Sequence, residues 1–134
     1  MKKKTATILA VLSVVVVVGY FVATGMIKNI ESNLAQLADL PVLNVDLSKI
    51  KDGTYAGNYM VFPVSAEVEV TVENHKITGI EIIKHTHGQG ATAEIIPAKV
   101  VENQTLEVDT VSGATYSSKV ILKAIENALL SASE

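Results

Sequence analysis

Twenty-three consecutive residues, Thr5 to Ile27, carry no charge, with five valines in a row from Val14 to Val18. At about 1.5 Å per residue this run forms a helix roughly 34 Å long, enough to cross a hydrocarbon layer of about 30 Å. Lys2, Lys3 and Lys4 precede it, and the positive-inside bias keeps them in the cytoplasm while the rest of the chain is exported. A cleaved signal peptide shares the basic start and apolar core, but its core runs only about 7 to 15 residues. Ala23-Thr24-Gly25 is also a poor cleavage site. Residues 1–27 are therefore expected to be a cytoplasmic lysine tip followed by an uncleaved, single-pass transmembrane anchor.

Beyond the anchor, the chain has room for one small soluble domain. No cysteine occurs, which excludes a lipoprotein anchor and structural disulfides. From Lys28 onward eight lysines face fourteen acidic residues, a net charge of −6 that argues against a nucleic-acid partner. Residues 28–47 read as a juxtamembrane linker or helix. Ile30, Leu34, Leu37 and Leu40 share one helical face until Pro41, a stripe able to pack on the domain, meet a partner or continue the membrane helix, or else simply part of a solvated spacer. The domain is placed at 48–134.

Within it, Asp52-Gly53 marks a turn before a first strand at Thr54 to Tyr59. Ala66, Val68, Val70 and Val72 alternate with Glu67, Glu69 and Thr71, the period of a half-buried strand. Asn74-His75-Lys76 makes a tight connection to a returning strand carrying Ile77, Ile80, Ile82 and Ile83. Ala91 to Asn103 reads as helix, with Pro97 either kinking it or opening a second short helix. Leu106, Val108 and Val111 are expected to lead back to the sheet edge. From Ser117 to Leu130 apolar residues recur at helical spacing. The fold class is α+β: a small antiparallel sheet packed with helices, preceded by one N-terminal transmembrane helix.

The segment with the most chemistry is Val108 to Ser118, V-D-T-V-S-G-A-T-Y-S-S, which sets a carboxylate, a tight Ser-Gly turn and a hydroxyl at a helix start. Free N–H groups and the positive dipole end make such a start favourable for phosphate. Asp109, Ser112, Gly113, Ala114 and Thr115 resemble the flavinylation motif of the FMN-binding domain family: Asp, three variable residues, Ser or Thr, Gly, Ala, then Ser or Thr. The resemblance extends through His85-Thr86-His87-Gly88-Gln89-Gly90 and on to Asn127-Ala128-Leu129, covering roughly Asp52 to Leu130. It implies that Thr115 carries FMN through a phosphoester bond installed by a separate flavin transferase, which consumes FAD with a divalent metal.

Residue chemistry fits that implication. A Thr hydroxyl is a weak nucleophile that needs activation, so Thr115 reads as a substrate and not a catalyst. Gly113 lets the backbone turn sharply, and Ala114 keeps the approach to Thr115 open. Asp109 either orients the segment or helps the transferase hold its metal and take the Thr115 proton. The resemblance places the glycine loop against the flavin, which implies non-covalent contacts from His87, Gly88 and Gly90, with His85 beside them. Tyr116 follows the modified position and is a candidate shield. His85 and His87 alone are too few for a metal site, and no cysteine adds a ligand, so no metal is expected. His75 reads as a solvated turn residue. Tyr55 and Tyr59 are able to stack on an isoalloxazine ring, although strand aromatics more often pack in the core.

The function so implied is a membrane-anchored extracytoplasmic flavoprotein moving electrons between a membrane reductase and a protein or small-molecule acceptor. Two other readings stand beside it. One is a small exported reductase acting directly on a quinone, fumarate or ferric substrate. The other is an exported binding or sensory module without flavin.

Overall fold

The computed structural model describes residues 1–133. The chain divides into two compact units, Met1–Ser32 and a second beginning at Asn33. Helix α1, Lys2–Asp39, provides all of the first unit except its terminal methionine, and it is long and apolar enough to cross a membrane. Its Val11, Val15 and Phe21 side chains are more than half exposed, as a segment without protein neighbours must be.

The second unit is built on a three-stranded antiparallel meander in the order β1-β2-β3: β1 Gly53–Val61, β2 Val64–Glu73 and β3 Lys76–Thr86. Strand β2 is central, and the alternation read in its sequence is its burial pattern. Ala66, Val68, Val70 and Val72 are buried, and Glu67 and Glu69 face solvent. Fully burying a valine or isoleucine side chain contributes about 1.5 to 3 kcal/mol, so this one face anchors the core. Asn74 and His75 both take positive φ, the backbone that a two-residue hairpin loop requires. His75 is exposed, with its Nδ1 3.1 Å from the Ile50 carbonyl oxygen.

Helix α3, Thr115–Ala132, lies across β1 and β2 and buries Val120, Ile121, Ala124, Ile125, Ala128 and Leu129. It starts two residues before the Ser117 expected from apolar periodicity, which brings Thr115 into its first turn. Helix α2, Ile96–Asn103, packs on β3 after a 3-10 turn at Ala91–Ile95. Of the two roles open to Pro97, the fold adopts the second: it opens a short helix, where its missing N–H costs nothing.

Leu106, Val108 and Val111 do not form a returning strand. At the β3 edge the Gln104 side chain takes that place. Its Oε1 accepts from the Ile77 N–H at 2.9 Å, and its Nε2 donates to the Ile77 carbonyl at 2.8 Å. The peptide-like amide satisfies groups a fourth strand would have met, while Leu106 is buried without strand geometry.

The segment read as juxtamembrane linker or helix is helical to Asp39, ending just before Pro41. Of the outcomes open to its apolar stripe, two are realised: it continues helix α1, and it packs on the domain. Leu37 is buried, and Leu34, Val42, Val45 and Leu47 pack against the core. Two polar ties hold this stretch to α3. Lys119 Nζ donates to the Leu40 carbonyl at 2.9 Å, and the Leu43 N–H donates to Glu126 Oε2 at 3.0 Å. Further along, the Asp46 carboxylate accepts from the hydroxyl and N–H of Ser48, which holds its carboxyl below the usual carboxylate range.

Candidate functional site

The chemistry-bearing segment is shaped by a turn at 111–114. The Ala114 N–H donates to the Val111 carbonyl at 2.9 Å, and Gly113 has φ +78°, a left-handed conformation that glycine adopts without steric cost. Ser118, fully buried one turn into α3, locks it from behind. Its Oγ accepts from the Val111 N–H at 3.0 Å and donates to the Ala114 carbonyl at 2.8 Å. Ala114 gives α3 no side-chain cap, so the local chain leaves the first-turn N–H groups free.

That helix start forms one wall of a cavity of about 580 Å³, where Gly113, Ala114, Thr115, Tyr116 and Ser117 are lining residues. Beside it, packed onto α3, runs the loop Gly88-Gln89-Gly90. The rest comes from Pro63 and Val64 at the start of β2 and from Leu34 and Ala38 near the end of α1. The walls are mostly apolar. A Cβ placed on Gly88 or Gly113 would meet nothing within 4 Å, so both positions present bare backbone to a ligand. Gly90 has the opposite reason to be glycine. A Cβ there would collide with the Ser117 hydroxyl and lie 2.6 Å from Ser117 Cβ, so its absence lets the loop close onto α3.

The fold brings Gly88, Gly90, Gly113, Ala114, Thr115 and Tyr116 together around one cavity, with Tyr116 partly exposed beside Thr115. Ser112 stays in the turn, outside the lining. Asp109 is exposed and lines a different, smaller cavity with Lys99, Glu102 and Asn103. His85 and His87 sit at the end of β3 and just beyond it, gathered around Glu94 and not on the cavity lining. Tyr55 and Tyr59 pack against the core.

Sequence reasoning missed Leu34, Ala38, Pro63, Val64, Gln89 and Ser117 as wall residues. Gln89 was signalled by its place between two loop glycines, and the others carry no local mark. It also missed the bracing role of Ser118. Ser118→Ala is expected to destabilise the domain by about 1 to 3 kcal/mol, because the partly buried Val111 N–H loses its acceptor. The shift in urea unfolding midpoint of the full chain measures it.

The site is thus a mostly apolar cavity set against the uncapped start of α3. Residues 63–130, just over half of the chain, match the model of the FMN-binding domain. The chain belongs to the FMN-binding domain family. The matched region runs from Pro63, just before β2, through nearly all of α3, so the motif and the glycine loop fall inside this FMN-binding domain. Among relatives, the domain is 28% identical over 99 residues to an NADH:acrylate oxidoreductase of Vibrio harveyi, covering 72% of this chain and 9% of that protein. It is 38% identical over 65 residues to a urocanate reductase of Eggerthella lenta, covering 46% of this chain and 11% of that protein. This chain therefore spans about a tenth of the length of either relative.

Proposed function

We propose that this protein is a membrane-anchored, extracytoplasmic electron carrier that holds one FMN as a phosphoester on Thr115. The observation that carries the reading is the placement of Thr115. It is the first residue of α3, on the wall of the cavity, beside a glycine loop with open space at Gly88. A phosphate esterified at its Oγ lies next to the free first-turn N–H groups and the positive end of the α3 dipole. In the attachment step the Thr115 oxygen bonds to the FMN phosphorus of FAD, the pyrophosphate bond breaks and AMP leaves. The hydroxyl proton passes to a base supplied by the transferase. The exposed turn at 112–113 leaves this hydroxyl approachable by that enzyme.

When bound, FMN supplies reversible electron uptake and release. The protein binds it, orients it between the helix start and the glycine loop, and limits water on the apolar side formed by Leu34, Ala38 and Val64. The apolar helix α1 supports membrane anchoring, and Lys2 to Lys4 support export of the domain. The partners of this reading are a flavin transferase for maturation, a membrane electron donor and a redox acceptor. The names of the two relatives give the direct-reductase alternative its support. The shared part is only their tenth that resembles this FMN-binding domain, which favours a carrier.

The decisive measurement is the intact mass of the full chain expressed with and without a flavin transferase. Expected is a gain of one FMN minus water together with in-gel yellow fluorescence, both abolished completely in Thr115→Ala and retained in Ser117→Ala. An adduct that follows Ser117, or its absence from material purified from native cells, sinks the assignment. Steady-state reduction of a quinone, fumarate or ferric complex by the flavinylated chain would instead support the reductase.

A further inference from the structure

We propose that His85, His87 and Glu94 form a binding site for one divalent transition-metal ion, with Zn²⁺ the best match. In sequence the two histidines lacked a third ligand; the 3-10 turn at Ala91–Ile95 supplies it. His85 Nδ1 lies 3.0 Å from Glu94 Oε1, and His87 Nε2 lies 4.0 Å from the same oxygen. One donor atom from each of the three lies within 4.8 Å of the others. Donors bound tetrahedrally to one ion at about 2.0 to 2.2 Å sit roughly 3.3 Å apart, so the two measured separations bracket what an ion requires.

The side chains that need to move are those free to do so. His87 is a quarter exposed and Glu94 about half exposed, while His85, at 2% exposure, is the fixed member. Of the two ring nitrogens of His85, Nδ1 faces Glu94 and is the donor available to an ion, while Nε2 is buried without a hydrogen-bond partner among the described residues. Electrostatics point the same way. Among the described residues Glu94 pairs with no lysine, so its charge is shared only by two imidazole rings 4.4 Å apart. Two neutral imidazoles and a carboxylate suit a borderline divalent ion such as Zn²⁺, and three protein ligands leave a coordination position open to exchange.

The site does not depend on Thr115 carrying FMN, but it takes the two histidines that the resemblance implied as flavin contacts. Its consequence is local: the ion joins the end of β3 to the 3-10 turn on either side of Gly88-Gln89-Gly90, and so pins the loop that walls the cavity.

The test uses the full chain in detergent, produced without a flavin transferase, loaded with Zn²⁺ and dialysed, with bound metal measured by mass spectrometry and affinity by calorimetry. One Zn²⁺ per chain is expected. Glu94→Gln and His87→Ala are expected to weaken binding at least about 10-fold, and both change partly exposed side chains. His75→Ala, on the hairpin turn, controls for adventitious histidine binding and is expected to bind like the parent chain. In a second arm, Co²⁺ gives a visible ligand-field spectrum in the parent chain that is lost in Glu94→Gln. Zn²⁺ binding unchanged in Glu94→Gln, lost equally in His75→Ala, or removed by dialysis from the parent chain overturns the site.

Discussion

Glu126→Ala is expected to destabilise the domain by about 3 to 5 kcal/mol, the usual cost of removing one partner from a buried ion pair. Glu126 is 2% exposed, accepts from Lys123 Nζ at 2.7 Å, and receives the Leu43 N–H on its other oxygen. Alanine strands the mostly buried Lys123 ammonium and leaves the Leu43 amide without an acceptor. The damage reaches the site, because the stretch released is the one whose preceding helical turns place Leu34 and Ala38 on the cavity wall. Urea unfolding of the full chain and hydrogen exchange at the Leu43 amide measure both effects. The pair sets where residues 40–45 run more than how stable they are. The double change Glu126→Leu with Lys123→Met is therefore expected to recover much of the loss in stability. A single-variant loss below about 1 kcal/mol contradicts this account.

Gly57→Val is expected to be at least as damaging, about 3 kcal/mol or more, with loss of a cooperative unfolding transition as the extreme outcome. A Cβ at Gly57 would strike the Ala124 carbonyl oxygen and lie 2.5 Å from the Ala128 nitrogen and 2.7 Å from the Ala128 Cβ. Overpacking typically costs about 1 to 3 kcal/mol when side chains can rearrange. Here the obstruction is helix backbone, which cannot rotate away, so β1 and α3 must separate. Asn127, whose Nδ2 donates to the Asn58 carbonyl at 2.9 Å, would lose its contact as they do. Gly79→Ala is the matched control on β3, where a Cβ meets nothing within 4 Å, and it is expected to change stability by less than about 1 kcal/mol. Circular dichroism during thermal unfolding separates the two.

Strict alternation made β2 legible, because a period of two with charged outer residues admits one buried face. The hairpin at Asn74-His75 and the apolar run of α1 were legible for the same kind of local reason. The stretch 104–111 was not. Its valines resemble a strand, but the edge of β3 is completed by the side-chain amide of Gln104, a contact between residues 27 apart that no local pattern marks. The start of α3 was misread by two residues because Thr115 and Tyr116 are not part of its apolar stripe, while their backbone is already helical.

At the site, the motif residues Gly113, Ala114 and Thr115 and the loop glycines Gly88 and Gly90 could be singled out from the sequence. The composition of a turn and the chemistry of a hydroxyl are properties of a few neighbouring residues. That these two segments meet at one cavity is a property of the packed chain. It follows from α3 crossing the sheet at Gly57 and from the loop closing on Ser117 at Gly90. The same holds for Leu34 and Ala38 as wall residues, for Ser118 as the brace of the turn, and for Glu94 beside the two histidines. Local spacing thus marked which groups are candidates for chemistry. Which of them meet was decided only by tertiary packing, because contacts between residues distant in the chain depend on how whole elements fit together.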